Sequence, residues 1–321
     1  MTLTRLAALA GTSVATVSKA FAGSREISKE TKETIFALAK KEGCFDKYYK
    51  APRERPLIAL LAPEPEGEHY GREIGQLERA LCAAGADTVI AFTRFDPERE
   101  ARLFRELVYQ MKVDGTVLWG TGTEIRNPDE HPLIALSSTE CSPHNADTVW
   151  VDYEGGILSL VRELKARGYK QVGFIGEGLT TSTERLLRDA MRRVGFPVHD
   201  KYFILSKERF EAAGKDGMAQ LLAGGALPEV IVTAYDQIAH GAMKHARECG
   251  YRIPEDISFV GISDISATRF TDVPLSTLRI DFDSCCERIV SLLLRRIENK
   301  HYRSRERLVV PVSLVLRASL K

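Results

Sequence analysis

The 321-residue sequence contains no run of about 18 apolar residues, so no transmembrane helix is expected. It also lacks a charged-then-apolar leader. Arg5 is followed only by a short Ala/Leu stretch that Gly11 ends, and export is not expected. Cysteine is sparse. Cys44, Cys82, Cys141, Cys249, Cys285 and Cys286 form no Cys-x-x-Cys pair and lie in no His-rich tract, so neither a disulfide framework nor a zinc site is expected. Nothing matches Gly-x-x-x-x-Gly-Lys-Ser/Thr. Gly173-x-x-Gly176-x-Gly178 lacks the dinucleotide spacing, and no Ser/His/Asp constellation stands out. Neither catalysis nor a cofactor is expected.

A strong overall charge is missing too, but the net +1 hides an asymmetry. Residues 1–56 hold 11 Lys/Arg against 6 Asp/Glu, while the remainder is slightly acidic. A basic head on an acidic body suits a polyanionic partner for the head. With 44% hydrophobic and 28% charged residues, the chain has the composition of a folded protein, and its length suits two or three domains.

The first 45 residues predict three helices. Leu3, Leu6, Ala7 and Ala10 share one helical stripe that ends at Gly11. Ser13 is a good N-cap for a second helix, in which Val14, Val17 and Phe21 recur. Ser28 caps a third, with Ile35, Phe36, Leu38 and Ala39 facing inward before Gly43. Two short helices joined by a Gly-containing turn form a helix-turn-helix, whose second helix can enter a DNA major groove. Residues 46–56 are polar, basic and bracketed by Pro52 and Pro56, which predicts a linker.

From Leu57 onward the pattern changes. Apolar runs at Leu57–Ala62, Thr88–Phe92, Gly115–Trp119, Leu133–Leu136, Gln171–Ile175, Tyr202–Leu205, Val230–Thr233 and Ser258–Ile262 alternate with helical patterns. The pattern predicts parallel sheets with right-handed crossovers, in two doubly wound α/β lobes. Ligands in that architecture bind at the C-terminal ends of the strands.

Several segments carry a family likeness in order. They are Val14-Ala15-Thr16-Val17-Ser18-Lys19, Ile27-Ser28-Lys29-Glu30-Thr31, Val113-Asp114-Gly115, Val151-Asp152-Tyr153-Glu154-Gly155-Gly156, Gly168-Tyr169-Lys170 and Thr183-Glu184-Arg185. Ala234-Tyr235-Asp236-Gln237-Ile238-Ala239, Gly250 to Ser258 and Pro274-Leu275-Ser276-Thr277 continue the series. From Thr2 to about Leu316 the chain resembles the lactose-repressor/galactose-repressor (LacI/GalR) family of bacterial transcription regulators. The resemblance implies a DNA-binding head (1–45), a hinge (46–56) and a periplasmic-binding-protein-like body (57–321). The near lobe would take about 57–155 and 280–307, the far lobe about 156–279 and 308–321.

It further implies a cytoplasmic homodimer on a pseudo-palindromic DNA operator, controlled by a small-molecule effector, most often a sugar, with no membrane partner. Val14 and Ala15 would meet bases, and Lys19 stands where the family has a base-contacting arginine. Thr2, Ser13, Thr16, Ser18, Ser28 and Thr31 would donate to phosphates, while Ser13 and Ser28 can equally be plain helix caps. No leucine occupies the hinge. Either Tyr48 or Tyr49 substitutes as a minor-groove wedge, or the segment only tethers the head. In the body, Arg185 matches the effector-binding arginine, and Asp236 the aspartate of an Asn-Asp pair whose asparagine is here Tyr235. Ser263 replaces a sugar-binding aspartate, and Asp264 keeps the neighbouring acid. Tyr70 falls near ring-stacking aromatics, and Phe210 either caps a sugar or packs in the core. The loss of one Asp and one Asn disfavours an ordinary neutral hexose. A stand-alone solute-binding protein is the alternative, which the head opposes.

Overall fold

Thr2, Ser13 and Ser28 begin the helices of the N-terminal unit, each accepting a backbone N–H three residues on. These helices are α1 (Leu3–Leu9), α2 (Val14–Phe21) and α3 (Lys29–Lys41). They close over Leu6, Ala7, Val17, Ala20, Phe21, Ile35 and Ala39. A one-turn helix α4 (Phe45–Tyr48) follows. The computed structural model describes residues 1–49, 53–120, 125, 127, 131–137, 146–225, 227–299 and 304–321. Lys50, Ala51 and Pro52 of the hinge, and Cys141, lie outside the described residues. Met1–Pro56 and Leu57–Lys321 are separate compact units.

In the second unit the apolar runs become strands. Its near-lobe elements are β1 (Leu57–Ala62), α5 (Glu68–Ala83), β2 (Asp87–Phe92), α6 (Pro97–Arg105), β3 (Gly115–Trp119), β4 (Leu133–Ser137) and β5 (Asp147–Asp152). The far lobe holds α7 (Tyr153–Ala166), β6 (Val172–Glu177), α8 (Thr181–Val194), β7 (Phe203–Ser206), α9 (Phe210–Ala223), β8 (Val230–Thr233), α10 (Asp236–Glu248), β9 (Ser258–Ile262) and β10 (Ser276–Ile280). Helix α11 (Phe282–Glu298) returns to the near lobe, and β11 (Arg307–Val315) ends the fold. β1 and β6 are almost wholly buried, which is why they are continuous apolar runs.

The strand order is β2-β1-β3-β4-β5-β11-β10-β9-β8-β6-β7, and every pairing is parallel except β10 with β11. β11 serves both lobes. Arg307–Pro311 pairs with β5 and Val312–Val315 with β10. The last passage between lobes therefore falls at Pro311–Val312, a few residues beyond the expected 307/308, because one strand completes both sheets. Helix α6 stops at Arg105 and widens into a π-helical turn, Glu106–Met111, closed by Lys112 in the left-handed region. The return of α11 is pinned by Arg296, which donates to Asp147 of β5 at 2.7 Å, both side chains being buried.

Candidate functional site

Two surfaces carry the chemistry. In the head, Ser13 and Ser28 accept Thr16 N–H at 3.0 Å and Thr31 N–H at 3.2 Å, so both are helix caps. Their hydroxyls also hydrogen-bond the Thr16 and Thr31 hydroxyls, and Thr2 caps α1. Val14, Ala15, Ser18 and Lys19 lie exposed along α2, and Thr16 and Thr31 are half-buried. Val14 recurs with Val17 and Phe21 in the helical pattern, yet it is 42% exposed while they are buried. An apolar side chain held out of the core suits contact with thymine methyls. Lys19 Nζ sits 2.5 Å from Glu26 Oε2, so any contact it makes with a base first costs that pair.

The two tyrosines are engaged within the head rather than projecting as wedges. Tyr48 packs on Phe21 at 5.8 Å and donates to Met1 O at 2.8 Å. Tyr49 stacks on Phe45 at 4.5 Å and meets Phe36 edge-on. Aromatic burial in so small a core outweighs presentation of the rings to solvent.

In the body, a cavity of about 200 Å³ opens at the C-terminal strand ends of both lobes. Near-lobe walls are Glu64, His69, Tyr70 and Phe95, and Tyr153, at the start of α7, packs against the cores of both lobes. Far-lobe walls include Glu177, Thr183, Arg209, Phe210, Tyr235 and Ser263. Of the expected effector contacts, the fold brings together Tyr70, Phe210, Tyr235 and Ser263. Phe210 and Ser263 have positive φ, 54° and 117°, so backbone strain is concentrated at the cavity wall. Burial pushes the Tyr235 phenol up, aided by nearby Glu177, so it stays protonated.

The other three lie elsewhere. Arg185 is exposed on α8 and is not among the lining residues. Asp236 is fully buried beneath the cavity, accepting the Thr277 hydroxyl at 2.6 Å and Ile265 N–H at 2.9 Å. Burial pushes its carboxyl up to about 7, against those two hydrogen bonds. Asp264 is also buried and binds Arg317 and Arg279, each at 2.5 Å, and Arg269 at 3.3 Å. Burial would raise its carboxyl, but Arg317 and Arg279 outweigh it and hold it at about 2. Neither aspartate joins the lining residues.

Sequence reasoning passed over the centre of the site. Arg209 donates to both Glu64 oxygens, at 2.6 and 2.8 Å, and through Nε to Glu177 at 3.1 Å. Glu64 belongs to the near lobe and the other two to the far lobe, so the ion pair crosses the cleft. Further bonds cross beside it. Arg72 donates to Asp264 O at 2.8 Å, and the Ser266 hydroxyl to Glu68 at 3.0 Å. The available signal was positional: Glu64, Glu177 and Arg209 all stand at or just beyond strand C-termini, where such sheets bind ligands.

The chain matches known proteins along nearly its whole length. Residues 161–320 match the family described as periplasmic binding protein-like domain. The chain is similar to the HTH-type transcriptional regulator DegA of Bacillus subtilis (strain 168), with 26% identity over 99% of this chain and 97% of that protein. Among solved structures it resembles the Lac repressor dimer bound to operator and the anti-inducer ONPF (TM-score 0.71, 22% identity, 100% and 99% coverage). It also resembles the transcriptional regulator CelR–cellobiose complex (TM-score 0.69, 22% identity, 99% of each chain). A helix-turn-helix unit followed by a two-lobed body of the periplasmic-binding type defines a class of DNA-binding regulators. Within that class, the chain is similar along its whole length to HTH-type transcriptional regulators and to solved regulators of the LacI family.

Proposed function

We propose that the protein is a cytoplasmic, sequence-specific repressor. It acts as a homodimer on a pseudo-palindromic operator, and a small molecule held between its lobes sets its operator affinity. The observation that carries the reading is the pairing of an exposed recognition helix in one unit with a two-sided cavity in the other. Closure of the lobes over a ligand supplies the two states that such control requires. Val14, Ala15 and Lys19 would read bases, while Thr2, Ser13, Thr16, Ser18, Ser28 and Thr31 face phosphates. Tyr70, Phe210, Tyr235 and Ser263 would contact the effector, a sugar derivative or another small metabolite. Asp236 and Asp264 shape the floor, and Arg185 is left to the rim.

Selection from a random DNA library with the full chain tests this. A two-fold symmetric site should be enriched, with half-sites about one helical turn apart or a multiple of it. Lys19→Ala should weaken binding to that site by about 1–3 kcal/mol. No enrichment, or a Lys19→Ala affinity equal to wild type by fluorescence anisotropy, would remove the DNA reading or the role of Lys19 respectively.

A further inference from the structure

Glu64 and Glu177 converge on one point from opposite lobes, and both side chains are almost completely buried, at 5% and 2% exposed. The group at that point is the Arg209 guanidinium. Its central carbon lies 4.4 Å from the centre of the Phe210 ring and 5.8 Å from that of Phe95. Two carboxylates and two ring faces around one spot are the components of a cation site. Among the described lining residues there is no lysine and no second arginine. The cavity thus holds two carboxylates to one guanidinium, and His69 pairs with a third acid, Glu73, at 3.4 Å.

We propose that the effector carries a positively charged nitrogen, an amine or a guanidine, and that Arg209 is the built-in cation it replaces. This deepens the reading of the cleft as an effector site and rests on it. The three groups differ in freedom. The carboxylates are fixed by burial, whereas the Arg209 side chain is 38% exposed and can swing away. Glu177 also accepts the Phe210 N–H at 3.3 Å, so the start of α9 stays tied when the guanidinium leaves. Phe210, next in sequence, holds its left-handed φ of 54°, which places stored backbone strain beside the moving side chain. A ligand cation inherits the same oxygens and ring faces. A phosphate or carboxylate ligand meets two anions, and the one guanidinium is already committed.

The test uses the full chain and matched probes in thermal-shift titrations. Methylguanidinium and agmatine should raise the midpoint of Arg209→Ala, and should do so far less in Arg209→Ala/Glu64→Gln. Glucose and glucose 6-phosphate should leave both unmoved. A flat response of folded Arg209→Ala to both cations overturns the proposal. So does an equal rise in the double variant, or a larger rise with glucose 6-phosphate. If Arg209→Ala does not fold, calorimetric titration of wild type with agmatine decides. Heat of binding that Glu64→Gln abolishes supports the site, and its absence from wild type overturns it. Operator selection reads the DNA function separately, so a failed cation site leaves that result standing.

Discussion

Asp236 and Asp264 lie close together under the cleft and titrate in opposite directions because their partners differ. Asp236 takes two hydrogen bonds from neutral donors, and Arg317 lowers its carboxyl only through space, so burial dominates. Asp264 has three arginines. A group whose folded pKa is raised binds its proton more tightly in the native state. Its stabilising contribution is therefore complete below the unfolded value and is lost as pH rises through the folded one. For Asp236 that window runs from near 4 to about 7. For Asp264 the sign is reversed: its contribution is present at neutral pH and disappears only as pH falls toward about 2. Other groups titrate over the same range, His131 among them, so the readout is a difference. Wild-type stability minus that of Asp236→Asn, from urea melts at successive pH values, should fall by up to a few kcal/mol between pH about 4 and 7 and be level above. A difference that does not depend on pH would show that Asp236 stays ionised throughout.

Among the elements, α9 and α10 make the closest approach. A Cβ added at Gly214 would meet Ile238 O at 1.9 Å, and one added at Gly241 would meet Glu211 O at the same distance. Both obstacles are backbone and cannot swing aside. The glycines therefore set the helix spacing, and with it the separation of Arg209 and Phe210, at the start of α9, from Tyr235, just before α10. Gly241→Ala should push the helices apart and cost about 1–3 kcal/mol in urea melts. It should also weaken any cavity ligand, although residue 241 does not line the cavity. Unchanged stability would mean that the helices part without strain. This contact shows where the sequence stopped being legible. Six of the apolar runs, β1, β3, β4, β6, β8 and β9, were visible because both faces are covered, while β2 and β7, at the two ends of the strand order, kept apolar runs although only partly buried. β5 and β10 were not visible, since Asp147, Asp152, Ser276 and Arg279 interrupt their apolar pattern while binding Arg296, Gly155, Arg317 and Asp264 respectively. The three head helices were legible from spacing and caps, which are local. The Glu64–Arg209–Glu177 bridge was not, because its partners are separated by up to 145 positions and only the folded lobes bring them together.

For the whole molecule, the bonds across the cleft matter more than those within either lobe. Each one that closes the lobes without a ligand biases the equilibrium on which an effector acts, and a ligand shifts that equilibrium only by its differential affinity for the two arrangements. Glu64→Gln tests the bias directly. It removes one charge of the bridge, leaves Arg209 attached to Glu177, and changes no residue of Met1–Pro56. The lobes should then spend more time apart, visible as a larger radius of gyration in X-ray scattering of the unliganded protein. If lobe arrangement controls the operator, affinity for the selected DNA site should also change, although no DNA-facing group has been altered. A coupling of about 1–3 kcal/mol corresponds to roughly 5- to 150-fold, and by linkage the operator must change the affinity of a cleft ligand by the same factor. Wider lobes with unchanged operator affinity would separate the two events and leave the cleft without control of the head. Unchanged lobes would mean that the Arg72–Asp264 and Glu68–Ser266 bonds suffice to hold the cleft shut.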